Sequence, residues 1–310
     1  MHFFSGLLWP VGWQIWDCQT PPRAFQTRVA HRRVLSCWVD KFIQKYYRSA
    51  MDNRLATVPE DVLKEIYLLE EHNKRLQTRE QAQEHFMPYV KHVYEGFIEG
   101  THHRIIAEKL EKIASGELKR LIVNMPPRHS KSEFASYLMP SWFLGRNPKL
   151  KIIQATMNTE LAVRFGRKVR DLIADPVYRE VFPNTDLKPD SQAAGRWETS
   201  AGGEYFAAGV GAAMTGRGAD LLIIDDPHSE QDALSTSAYD NAWEWYTSGP
   251  RQRLQPGGSI IIVQTRWSKK DITGRLLNAM SKDLMADQWD VVEFPAIMPS
   301  GEPLWPEFWK

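Results

Sequence analysis

Lys131 and Ser132 stand where an apolar stretch gives way to a helix, in the run LIVNMPPRHSKSE over residues 121–133. A lysine and a hydroxyl so placed suit a nucleoside triphosphate. The ammonium reaches the β and γ phosphates, the hydroxyl reaches Mg²⁺, and backbone N–H groups of the turn face phosphate oxygens. Ninety-four positions beyond Lys131, LLIIDDPHS ends a second apolar run on Asp225 and Asp226. Asp225 is placed to hold Mg²⁺ through its water shell, and Asp226 to orient or deprotonate the attacking water. Forty positions beyond Asp225, IIVQTRWS closes a third run on Thr265 and Arg266. A polar group there can sense the γ phosphate and pass its loss to moving parts. Arg128 in the first loop and Arg217 in TGRGAD are candidates for stabilising transition-state charge. His103, upstream of the first strand, is a candidate for contact with the base, and also suits a helix cap.

The first loop departs from the usual phosphate-binding pattern, which asks for glycine where Met125 and Ser130 stand. Each motif also has a plainer structural reading: a basic loop opening a helix, an Asp-Asp-Pro turn, a Thr-Arg pair at a strand end, solvated arginines. Three strand-to-loop junctions in this order favour ATP hydrolysis over those readings.

The elements that must position these residues follow from periodicity. Residues 59–116 carry apolar side chains at helical spacing, first Val62, Ile66 and Leu69, then Ile105, Ile106, Leu110 and Ile113, until Ser115-Gly116 ends the pattern. Strands are predicted over 119–125, 151–155, 219–224, 258–264 and 289–294, and helices over 131–144, 160–174, 237–254 and 271–280. The alternation predicts an α/β fold with a mainly parallel sheet. Residues 182–200, rich in Pro, Asp, Gly and Ser, read as a surface excursion, 204–208 as an edge strand and 209–218 as a glycine-rich loop.

The 310 residues hold 39 Lys and Arg against 38 Asp and Glu, so no global field points to nucleic acid or a membrane, and any grip on DNA must be local. Cys18 and Cys37 are the only cysteines, too few for a disulfide framework and without zinc-site spacing, which fits a reducing cytosol. The first apolar stretch is broken by Gly6, Pro10 and Gly12 and is too short to span a bilayer. Residues 1–50 carry seven Lys or Arg against two Asp with no clear period. They read either as a weakly ordered arm or as sequence upstream of the true start.

Taken together, MPPRHSKSE, MTGRGADLLIIDDPHS and QTRWSKKDITGRLL resemble the large terminase subunit of tailed bacteriophages, over roughly residues 102–306. Relatives there have PPRHGKS, so Ser130 departs from the family pattern. The resemblance implies a RecA-like P-loop NTPase core of the ASCE type, over 117–295, behind a helical extension over 51–116. It further implies ATP and Mg²⁺ as cofactors, with Pro127, Arg128, His129, Ser130, Lys131 and Ser132 on the phosphates and Ser132 and Asp225 at the metal. Asp226 would be the catalytic acidic residue and Thr265-Arg266 the coupling motif. Arg217 resembles the arginine that a neighbouring subunit inserts in ring-forming motors. Implied partners are double-stranded DNA, a small terminase subunit, the portal protein and further copies in a ring, with no membrane, in the cytoplasm of a bacterial host. EPLWPEFWK, within 296–310, resembles the linker to a ribonuclease-H-like nuclease, so nuclease activity is not expected of these 310 residues. A helicase-like nucleic-acid-stimulated ATPase and an inactive prophage fragment are the alternative readings.

Overall fold

The computed structural model describes residues 60–309, and the arm expected over 1–50 lies outside the described residues. The described residues fall into two units that divide after Arg75. Helix α1 (Glu60–Glu84) opens the described part, followed by α2 (Phe86–Val93) and α3 (Thr101–Ser115). Gly116 ends α3 in the left-handed conformation at φ +81°, as the Ser-Gly signal predicts. No helix among the described residues is long and apolar enough to cross a membrane.

The second unit carries one sheet of eight strands: β1 (Arg120–Asn124), β2 (Lys151–Thr156), β3 (Leu187–Ala193), β4 (Arg196–Thr199), β5 (Glu204–Gly209), β6 (Ala219–Asp225), β7 (Leu254–Gln264) and β8 (Asp290–Glu293). Their order is β3-β4-β5-β2-β6-β7-β1-β8. Neighbours from β5 through to β8 run parallel, whereas β3 and β4 add an antiparallel margin. This is the mainly parallel sheet that the alternation predicts, with β7 inserted between the loop strand β1 and the aspartate strand β6.

Continuous Ile, Leu and Val runs suit strands covered on both faces. Side chains alternate across them, so Leu121, Val123, Leu221, Ile223, Ile261 and Val263 enter one core while Ile122, Leu222, Ile224, Ile260 and Ile262 enter the other. The first core is filled by α2, α3, α4 (Met139–Arg146), α5 (Thr159–Ala174) and α6 (Pro176–Val181); the second by α7 (Thr236–Ser248) and α8 (Ile272–Lys282). Because β1, β6 and β7 are parallel and in register, Asn124 lies opposite Gln264 and Asp225 opposite Val263. All three chemical loops therefore leave the same end of the sheet, where ligands of open α/β sheets bind.

Three expectations need correction. Residues 182–200 contain β3 and β4, because Trp197 is fully buried and stacks on Tyr205 at 4.9 Å. Strand β5 is consequently interior, paired with β2 and β4, and is no edge. The helix expected over 237–254 stops at Ser248, since Gly249 is followed by Pro250, which has no N–H to continue it. The proline-containing tail is seated on the unit through Leu304 and Trp305, both buried.

Candidate active site

The turn after β1 is built from residues in unusual backbone conformations. Arg128 has φ +60° and Ser130 φ +69°. Left-handed residues within a turn aim successive N–H groups to one side, a concavity that receives anions. His129 is buried and its ring donates from Nδ1 to the Pro127 carbonyl at 2.8 Å, which braces the turn from within. Arg128 and Pro127 are exposed on its outer side. Ser130 occupies the position where glycine is usual, and its Cβ makes the left-handed conformation cost about 1–2 kcal/mol. Ser130→Gly is therefore expected to be more stable than Ser130→Ala by about 1 kcal/mol, because both lose the hydroxyl and only alanine keeps the Cβ. Urea midpoints measure this, and equal midpoints would remove the strain argument.

The helix that begins at Lys131 runs first as a π-helix over Glu133–Leu138. These wider turns directly precede Pro140, which has no N–H to give the carbonyl of Ser136. Ser132 and Ser136, four apart, share the face turned to β6. Ser132 Oγ donates to Asp225 Oδ1 at 3.0 Å and Ser136 Oγ to Oδ2 at 2.7 Å. Ser136 in turn accepts from Gln154 Nε2 at 2.9 Å. Burial, and then the neighbouring Asp226, push the Asp225 carboxyl up to about 7, while Ser136, Lys131 and Ser132 pull it back down. A hydroxyl and a carboxylate converging in this way are the hard oxygen donors that Mg²⁺ takes, so the residues fit that ion. No group of three or more His, Cys, Asp and Glu side chains with metal-holding geometry occurs among the described residues, and the remaining ligands would be phosphate and water oxygens.

Asp226 turns away from β6 at φ +41°, a conformation aspartate tolerates. Its Oδ2 lies 2.9 Å from Lys131 Nζ, and its Oδ1 accepts the backbone N–H of Thr265 at 2.7 Å. One carboxylate thus joins the phosphate loop to the end of β7. Arg266 is directed elsewhere, donating from Nε to the buried Asp271 at 2.9 Å.

Loop, aspartates and Thr265 meet as the spacing predicts, but Arg266 and two further predicted residues do not join them. Arg217 pairs with Glu204 and lies over the Phe206 ring, 3.9 Å from its centroid. Glu204 opens β5 at the amino end of the sheet, so Arg217 is roughly 20 Å, a strand length, from the aspartates of its own chain. The charge of Glu204 and the ring of Phe206 hold it there. His103 is buried, with its ring stacked on Phe134 at 5.0 Å and Nδ1 accepting the N–H of Gly100 at 2.9 Å, which is the capping role. Ser136 and Gln154 were not among the candidates. Their signals were a second serine one helical turn after Ser132, and a single polar residue inside the apolar run of β2.

No family model matches the chain, and no curated protein matches it. Solved structures similar to it include two phage proteins. One is the large terminase of bacteriophage HK97, at 14% identity and TM-score 0.39, over 66% of this chain and 40% of that one. The other is the ATPase domain of the large terminase of Thermus phage P74-26, in a mutant form, at 13% identity and TM-score 0.42, over 68% of this chain and 85% of that one. The chain thus spans well under half the length of the HK97 protein it resembles. At such identities and scores the likeness assigns no activity.

The histidines beneath the loop carry a pH dependence. Burial first, and then the nearness of His129 for His102 and of His102 for His103, lower these rings to about 4 and about 3. Both fall below the unfolded value of about 6.5, so the unfolded chain takes up protons first as the pH drops. Stability is full above about pH 6.5 and declines as the pH falls toward the folded values. For the pair, the loss between pH 7 and pH 5.5 is expected to be on the order of 2–3 kcal/mol, read from urea unfolding. His102→Asn should lose about half that slope, and an unchanged slope would place the acid sensitivity elsewhere.

Proposed function

We propose that the chain is the ATP-hydrolysing motor domain of a phage large terminase subunit, which moves double-stranded DNA into a procapsid. The ATPase part rests above all on one observation: Lys131 and Ser132, at the start of one helix, meet Asp226 and Asp225 from a strand two places away in the sheet. The terminase part rests on the motif resemblance around these residues.

In this reading the turn over residues 127–132 wraps the phosphates and Lys131 takes charge at the β and γ groups. Ser132 and Asp225 would hold Mg²⁺, which would neutralise charge developing on the phosphate oxygens. Phosphate competes with Asp226 for the lysine ammonium, which frees the Asp226 carboxylate to orient water and accept its proton. Water oxygen then bonds to the γ phosphorus as the bond to the bridging oxygen breaks. The Thr265 N–H on the other carboxylate oxygen carries the change to the end of β7. Arg128 supplies positive charge at the loop, and Arg217, released from Glu204, would serve the nucleotide of a neighbouring copy in a ring. A small subunit would choose the start site and the portal would seat the ring.

Steady-state turnover of ATP with Mg²⁺, with and without double-stranded DNA, tests the reading. Turnover stimulated by duplex is the expected result. Strand separation in a duplex-unwinding assay would favour a helicase, and absence of turnover from folded chain would favour an inactive fragment.

A further inference from the structure

Gln154 stands between Ile153 and Ala155 in β2, and all three are buried. Its Oε1 atom meets no hydrogen-bond partner there. A buried amide left half unpaired costs stability, which an apolar side chain of the same length would not. Gln154 lies beside Ile223 of β6, two residues before Asp225, so it projects from the same face of the sheet as that carboxylate.

The direction of the hydrogen bonds between them is fixed by chemistry. An ionised carboxylate accepts only, and a serine hydroxyl has one proton to give. Ser136 gives that proton to Asp225 Oδ2, so Gln154 must meet Ser136 Oγ with an N–H, as it does at 2.9 Å. The amide thereby keeps the proton on Asp225 and off the helix carbonyl one turn back, the usual alternative for a helical serine. Ser132 Oγ donates to the other oxygen, Oδ1, and in the reading above that hydroxyl is needed at the cation. Oδ2 is then left to Ser136.

We infer that Gln154 is a positioning residue for Asp225: its amide fixes the Ser136 proton on Oδ2, and with it the direction in which Oδ1 is offered to a divalent cation. The inference rests on the assignment of Ser132 and Asp225 to Mg²⁺. A strand that would be more stable with an apolar residue keeps a polar one because the site uses it.

Gln154→Met keeps the length of the side chain and removes both polar atoms. Its urea midpoint is expected to be no lower than the parent's, whereas its Kd for ATP with Mg²⁺ should rise about tenfold, the usual scale when a metal ligand loses its supporting hydrogen bond. Its Kd for ATP in EDTA should stay within about twofold of the parent's. Calorimetric titration of the whole chain gives both constants. Ser136→Ala should show the same split, and adding Gln154→Met to it should cost nothing further, because the amide acts through that hydroxyl. The inference is overturned if Gln154→Met binds ATP with Mg²⁺ as the parent does, if it weakens ATP alike with and without Mg²⁺, if its midpoint falls, or if the two losses add. In each of those cases the phosphate-loop reading survives. A folded parent whose ATP affinity Mg²⁺ does not change overturns the metal assignment and this inference together, and one that binds no ATP overturns the loop reading as well.

Discussion

Lys131→Ala is expected to reduce Mg²⁺-dependent ATP turnover by a factor on the order of 10³ or more, to background. The ammonium is buried at the root of the loop and lies 2.9 Å from Asp226. No other Lys or Arg of the described residues forms an ion pair with that carboxylate, so alanine leaves no side chain to take over the charge at the β and γ phosphates. The substitution should be tolerated by the fold, because Asp226 keeps the Thr265 N–H and is 28% exposed to water. Turnover is read at saturating ATP, with circular dichroism on the same sample. Turnover at the parent rate from folded Lys131→Ala would show that this loop does not bind the phosphates.

Asp226→Asn separates holding the nucleotide from hydrolysing it. The amide oxygen can still accept the Thr265 N–H, and loss of the negative charge frees Lys131 for phosphate. ATP affinity should therefore be equal to the parent's or higher. An amide cannot accept the proton of the attacking water, so hydrolysis is expected to fall by a factor on the order of 10² or more, a typical loss for a general base. Equilibrium binding and single-turnover hydrolysis measured on one sample distinguish the two effects. If ATP no longer binds while the fold persists, Asp226 serves the metal and its role must be exchanged with that of Asp225.

Legibility differed between the parts of the molecule for physical reasons. Strands β1, β2, β6 and β7 could be read because each is an apolar run buried on both faces, and a run of that kind has few other places to go. Asp225 and Asp226 could be read because carboxylates at the end of such a run are costly unless something meets them there. Strand β4 escaped because it has four residues and declares itself only by Trp197, whose partner Tyr205 belongs to the next strand. The end of α7 escaped because the apolar spacing continues into Leu254, while Gly249 and Pro250 enforce the stop. The direction of Arg217 was not legible because a glycine-rich loop gives none in sequence. Its place is set by a partner on another strand, Glu204. His103 could be read only as a choice between two roles, and burial against Phe134 decided for the cap. Ser136 and Gln154 act through contacts with Asp225 and with each other that no short motif encodes.

The position of β7 has a dimensional consequence. Neighbouring strands lie about 4.8 Å apart, so one intervening strand sets the backbones of β1 and β6 about 10 Å apart. That gap is close to the combined reach of a lysine and an aspartate side chain. Strand β7 is thus a spacer between the strand that enters the loop and the strand that carries Asp225. The separation of the two strands that feed the site is therefore set by strand order before any ligand arrives.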